Sequence, residues 1–320
     1  MLLALALAFS PPATAVIILD STWAEEGGDE DDPAAGFGAA IALAGQPQFD
    51  ALVALASNGG DGWGTCSGTW IGNDADHGYV LTAAHCFSEE APAEDFRVRS
   101  RGGSEFEVVD AVIHEDWWGG DLFKTGYDIA ILVLDAPVHD AGRPPTLYGG
   151  DEELGRLLTF MGYGSRGIAS IGEDPNYHDG EATHAAAQGL VAEVKSQGDD
   201  DGDDEDTGNY LGVFLPAEDG SIENPYGGAM TPSGRLAGLL GSGDSGGPAF
   251  LQVGGRWVVA GVHSNGSGNA EAGQTSWFVR VSGKRDWILS HVPTARFVAG
   301  GESHPATGDG RRATRSGPAS

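Results

Sequence analysis

Apolar residues in this chain come in short runs, rich in Val, Ile and aromatics, each closed off by Gly, Asp, Asn or Pro. With 52 glycines among 320 residues, turns recur too often for long helices. The pattern predicts an all-β chain with helix as the minority state. An apolar fraction of 40% over this length suffices for one large core or two medium ones. Segments 51–55, 65–71, 79–84, 96–100, 105–114 and 128–135 read as six short strands that suit one small antiparallel barrel. Three prolines and a Gly pair at 137–150 mark a crossing between two halves. A second set of strands follows at 157–163, 184–195, 210–215, 247–253, 256–264 and 276–282. The spacing in 284–291 predicts a helix that buries Trp287 with Ile288 or Leu289, with Ser282 as its N-cap.

A formal charge of −30 argues against nucleic acid as a partner, since a polyanion is repelled and no basic stripe precedes the last few residues. Excess acid of this kind serves solubility or salt tolerance, or steers cationic partners. Residues 1–15 read as a signal peptide: an apolar run from Leu2 to Phe9, a Pro pair, then the small-x-small pattern Ala13-Thr14-Ala15. The segment lacks Lys and Arg, so the α-amine is its one positive charge. No other stretch approaches the ~20 continuous apolar residues of a membrane helix, which predicts a secreted protein with no membrane span. Residues 16–40 are acidic and Gly-rich beyond Leu19, and read as a pro-segment or linker. Residues 294–320 have a composition that cannot build a core and read as a disordered tail.

Three short motifs carry the chemistry. GDSGGP at 243–248 sets Ser245 among glycines, a tight loop that exposes a hydroxyl and turns backbone N–H groups toward a reacting carbonyl. TAAHC at 82–86 supplies His85, and DIAIL at 128–132 supplies Asp128 at the start of an apolar strand, where a carboxylate needs a partner. In chain order these are the His, Asp and Ser that acyl transfer by a serine hydroxyl requires. An α/β-hydrolase esterase is disfavoured by that order and by the lack of alternating strands and helices.

From about residue 41 to 292 the chain resembles the trypsin/chymotrypsin-like serine peptidases. The resemblance implies two antiparallel six-stranded β-barrels, at about 41–140 and 146–283, with the active site in the cleft between them and a C-terminal helix at 284–292. It extends to MGYG at 161–164, where Tyr163 stands in place of the usual Trp. The roles implied are His85 as general base, Asp128 as its orienter, Ser245 as nucleophile, and the Gly243 and Ser245 amides as oxyanion donors. Ser264 matches the serine that supports the aspartate. Leu239, Ser264, Gly266 and Ser276 fall at the substrate pocket, and Leu239 in place of an Asp implies an apolar or small residue on the acyl side of the cut bond.

Two cysteines alone fit free thiols, a bridge or part of a metal site; the resemblance implies a Cys66–Cys86 disulfide. Asp244 is implied to pair with an N-terminal amine freed by cleavage. No family-like terminus lies at the usual distance before Cys66, leaving Val16 or Ile17 followed by an insertion, Ile41 within GAAIALA, or a different partner. The chemistry needs no cofactor, although Asp199, Asp201, Asp203 and Glu205 have spacing suited to Ca²⁺ as well as to a solvated acidic loop. The expected partners are polypeptide substrates and inhibitor proteins, with the chain a monomer. An inactive relative serving as a binding module is the alternative from another functional class.

Overall fold

The computed structural model describes residues 16–58, 62–88, 92–117, 126–178, 183–195 and 209–299. The chain enters through a two-residue strand β1 (Ile17–Ile18), helix α1 (Asp20–Glu25) and helix α2 (Gly38–Ala44). Six strands follow: β2 (Leu52–Ser57), β3 (Cys66–Asn73), β4 (Gly78–Thr82), β5 (Phe96–Arg99), β6 (Glu105–Ile113) and β7 (Ala130–Leu134). They close a barrel in the order β2-β3-β4-β7-β6-β5.

The crossing contains β8 (Thr146–Tyr148) and leads to β9 (Leu157–Gly162), then two short strands, β10 (Gly167–Ile168) and β11 (Gly172–Glu173). Next come β12 (Ala185–Lys195), β13 (Tyr210–Phe214), β14 (Gly238–Leu239), β15 (Pro248–Val253), β16 (Arg256–Gly266) and β17 (Thr275–Arg280). Helix α3 (Arg285–His291) and β18 (Phe297–Val298) end the described chain. Strands β15, β9, β12, β13, β17 and β16 pair in that order, and a β15–β16 ladder closes this second barrel. The fold is all-β, with two six-stranded antiparallel barrels and a C-terminal helix.

Side-chain alternation explains why these strands look uniformly apolar. In β2, Val53 and Leu55 face the interior of barrel one while Leu52 and Ala54 face barrel two. In β7, Ala130, Leu132 and Leu134 point inward and Ile131 points across. Barrel two answers with Met161, Ala186, Phe250 and Val259 on its facing side, and with Leu158, Phe160, Ala249 and Leu251 inside. A continuous apolar cluster therefore joins the barrels and fixes the width of the cleft. Solvent-facing strands show the other pattern: β5 alternates buried and half-buried residues.

Several expectations need correction. Residues 16–40, read as a linker or pro-segment, pack on barrel two: Phe37 and Ala40 are fully buried, and Arg235 binds Glu25 and Glu26. Two short helices and a two-residue strand are too brief to leave a periodic pattern. Ser282 does not cap α3; it opens a 3-10 turn, its hydroxyl donates to Glu153 Oε1 at 3.1 Å, and Lys284 takes the cap position. Within α3, Ile288 is fully buried while Trp287 and Leu289 are partly so. The start of the segment read as a tail is ordered against barrel two, because Phe297–Val298 pairs in parallel with β8 and Ala295 is buried. Residues 1–15, 196–208 and 300–320, holding the signal peptide, the acidic calcium candidates and most of that tail, lie outside the described residues.

Candidate active site

The first half of the site comes from barrel one. Strand β4 ends at Thr82, and a 3-10 turn over Ala84–Cys86 carries His85 into the cleft. The Cys66–Cys86 disulfide ties this turn to the start of β3 across 20 residues of sequence. Asp128 precedes β7 and is completely buried. Its carboxylate is satisfied by donors: Oδ1 accepts from the His85 backbone N–H at 2.8 Å, and Oδ2 accepts from the Ser264 hydroxyl at 2.5 Å. Oδ2 also lies 2.6 Å from His85 Nδ1.

A carboxylate can only accept, so the proton between these two sits on His85 Nδ1 and Nε2 is left as an acceptor. His85 Nε2 lies 2.7 Å from Ser245 Oγ. This pairing aligns the hydroxyl proton with a base that a buried carboxylate holds in the right tautomer.

Barrel two supplies Ser245 on the loop between β14 and β15. Gly243 has φ of +88° and Gly246 has φ of +84°, both in the left-handed region that favours glycine. At Gly246 the backbone also passes so close to barrel one that a Cβ would lie 2.1 Å from Thr82 Oγ1 and 2.3 Å from Ser67 O. Among the described residues, neither the Gly243 nor the Ser245 amide donates to another protein group. They are free to meet charge developing on a carbonyl oxygen next to Ser245.

Ser67, in the CSG triplet, was missed by sequence reasoning. Its N–H donates to Ser245 O at 2.8 Å, its hydroxyl donates to Gly243 O at 3.0 Å, and that hydroxyl accepts from Tyr163 N at 2.9 Å. Tyr210 and Asn265 were missed as well. Ser264 gives its proton to Asp128, so it accepts from the buried Tyr210 hydroxyl at 3.4 Å and from Asn265 Nδ2 at 3.1 Å. No local pattern marks Ser67 or Tyr210, whose partners are distant in sequence, and the neighbouring Ser264 gives Asn265 a role only because Ser264 itself reaches Asp128.

The pocket candidates separate. The Ser264 hydroxyl turns to Asp128. Leu239 is buried in an apolar cluster with Ile17, Leu19, Leu215 and Ala237. Ser276 is buried and its Oγ accepts from Leu240 N at 3.1 Å. Gly266 ends β16 opposite Ser276 and is exposed, with open space where a Cβ would stand apart from Thr275 O at 3.5 Å.

A family profile described as Trypsin matches residues 44–187. Over those residues the chain is similar to the trypsin family. It is 27% identical over 246 residues to human chymotrypsin-like elastase family member 1, covering 72% of this chain and 82% of that protein. It is 26% identical over 239 residues to mouse transmembrane protease serine 11C, covering 70% of this chain. It spans 47% of the length of that mouse protein. No helix among the described residues is long and apolar enough to cross a membrane.

Two further buried groups lie beside the Ser245 loop. Asp244 is fully buried, and its oxygens accept from Gly164 N at 2.7 Å and Gly241 N at 2.9 Å. Burial pushes its carboxyl up to about 7, with these amides and that of Val16 pulling the other way and Glu173 adding to the rise. His263 lies behind the nucleophile loop, its main chain bonded to Gly246 and Gly247. Burial, helped by the nearby His85, pushes its ring down to about 3, with the backbone of Asp244 and Asn265 pulling the other way. Among the described residues no group of three or more His, Cys, Asp or Glu is arranged to hold a metal ion.

Proposed function

We propose that this chain is a secreted serine endopeptidase that hydrolyses peptide bonds through an acyl-enzyme, with His85, Asp128 and Ser245 as its triad. The carrying observation is the unbroken hydrogen-bonded series from Asp128 Oδ2 through both ring nitrogens of His85 to Ser245 Oγ, at 2.6 and 2.7 Å. Ser245 Oγ attacks the scissile carbonyl as His85 Nε2 takes its proton. The Gly243 and Ser245 amides hold the oxyanion, and His85 then protonates the leaving amine. Water, activated by the same ring, releases the acyl group. No step calls for a cofactor.

An apolar or small residue on the acyl side of the cut bond is supported by the resemblance, which puts Leu239 at the pocket in place of an Asp, and by the uncrowded Gly266 edge. Export is supported by Ala13-Thr14-Ala15 and by the disulfide, a bond of oxidising compartments. Polypeptides are the substrates, protein inhibitors that occupy the cleft are partners, and the working form is a monomer.

A fluorophosphonate probe and casein test the reading together. The protein beginning at Val16 labels and cleaves casein, and Ser245→Ala abolishes labelling and lowers turnover by ~10⁶, as in comparable triads. Labelling without casein cleavage supports an esterase; a folded protein that neither labels nor cleaves supports a binding module. Peptides with Arg, Phe, Leu or Ala before the cut bond test the preference, and a strong Arg preference defeats it.

A further inference from the structure

We infer that Lys284 is a positioning residue for the triad: its buried ammonium clamps together the two segments that hold Asp128 from behind, 126–128 and 209–210, and so sets the carboxylate that orients His85. The inference rests on the endopeptidase reading above and extends it to a side chain outside the triad.

A lysine at the start of a helix ordinarily reaches water, and lysine is among the residues least often buried. Lys284, at the cap position of α3, is only 3% exposed. Neutral groups receive its charge. Nζ donates to Asn209 Oδ1 at 2.9 Å in a buried bond, and it stands 4.2 Å from the centroid of the Tyr127 ring, over which a cation is attracted. Desolvation pulls the amine down to about 8, with Asp116 acting against that, so it is mainly charged at neutral pH. An apolar side chain would fill this place at less cost, because a buried cation without a carboxylate against it is weak as a stabiliser.

Both partners of the ammonium lead to Asp128. Tyr127 is its chain neighbour, and Ile129 N donates to Tyr127 O at 2.8 Å, which closes a three-residue turn centred on Asp128. Asp128 thus stands on a turn before the β7 ladder begins at Ala130, and its direction depends on what holds the turn. Asn209 is the chain neighbour of Tyr210, whose hydroxyl meets Ser264 Oγ at 3.4 Å, and Ser264 donates to Asp128 Oδ2 at 2.5 Å. The two segments also touch directly. Gly126 has φ of +71°, and a Cβ there would lie 2.3 Å from Asn209 Cβ. The Gly126 amide supports the Tyr210 hydroxyl.

The far side of the clamp is aromatic. His114 stacks on Tyr127 at 4.7 Å and on Trp287 of α3 at 4.9 Å, so the ring that faces the ammonium is itself tied to the helix Lys284 caps. Burial holds the His114 imidazole below its usual range, and Lys284 adds to the fall.

The test compares Lys284→Met and Tyr127→Leu with the native protein, each beginning at Val16. It reads kcat and KM on a peptide substrate, fluorophosphonate labelling, melting temperature and the downfield proton resonance of His85 Nδ1–H. Both variants are expected to lose roughly 10- to 100-fold in kcat, up to the scale of a 1 Å misplacement. KM should stay within about twofold, melting should change by no more than a few degrees, and the downfield resonance should shift or broaden. If Lys284→Met does not fold, Tyr127→Leu decides alone. An unchanged kcat with an unmoved resonance in either folded variant overturns the inference, as does a loss of kcat that only tracks the fraction of unfolded protein at the assay temperature. If the folded native protein neither labels nor cleaves, yet its downfield resonance is present and shifts in both variants, the endopeptidase reading fails while the positioning of Asp128 by Lys284 stands.

Discussion

Barrel one brings His85 and Asp128 to the cleft at the ends of β4 and β7, strands paired to each other in register from Tyr79 to Thr82, with a disulfide closing the histidine turn. Barrel two brings Ser245 on a loop held by two left-handed glycines, a buried carboxylate and hydrogen bonds to Ser67 of the other barrel. The first arrangement follows from strand pairing and one covalent bond. The second depends on groups that must arrive from elsewhere: the Val16 strand from the N-terminus and Ser67 from across the cleft. Base and nucleophile therefore differ in how robustly they are set, and damage to the two halves should have different signatures.

Breaking the barrel-one half chemically while leaving its frame gives the largest effect. Asp128→Asn keeps the volume but reverses the donor pattern at His85 Nδ1. We expect a ~10⁴-fold fall in kcat, as in other serine peptidases, with little change in KM or melting temperature. A loss below tenfold shows that His85 is held by its strand-end turn without the carboxylate.

Breaking the barrel-two half sterically comes next. Gly246→Ala places a Cβ against Ser67 O and Thr82 Oγ1 and strains a positive φ. The loop must shift, and we expect ~10²-fold slower fluorophosphonate labelling, on the scale of losing one oxyanion donor. Circular dichroism should still report intact barrels, and unchanged labelling would show the loop to be more yielding than this comparison holds.

Removing the covalent clamp acts on stability more than on turnover. Replacing Cys66 and Cys86 together by Ala should cost about 3 kcal/mol in the chain-entropy account. Denaturant unfolding measures it, and a smaller loss of turnover than in Gly246→Ala would sharpen the contrast between barrels.

The smallest effect at neutral pH is that of His263, with a defined pH sign. Its folded pKa, about 3, lies below the ordinary histidine value near 6.5. Above 6.5 the ring is neutral in both states and contributes nothing to the pH dependence. As pH falls from 6.5 toward 3, the unfolded chain takes a proton that the folded one refuses, so stability drops. His184, pushed down to about 4 by burial, acts in the same direction. His263→Leu should flatten the slope of melting temperature between pH 6.5 and 4, leaving the part due to His184; an unchanged slope would rule His263 out as its source.

Much of this protein is legible without coordinates. The twelve barrel strands follow from short apolar runs between turn residues, because alternation and turn chemistry are local properties. GDSGGP, TAAHC and DIAIL hold the proposed nucleophile, base and carboxylate, because a sharp glycine loop and a buried strand-start aspartate leave marks in neighbouring residues. What the tertiary structure decided is how those pieces meet. Ser245 and His85 are 160 positions apart and Ser67 and Gly243 are 176 apart, separations over which no periodicity carries information. The tertiary structure also decided that residues 16–40 belong to barrel two and that Val16 faces Asp244. Both depend on burying a short N-terminal strand between segments far along the chain, so apolar burial and desolvation decide them, and neither is a local property.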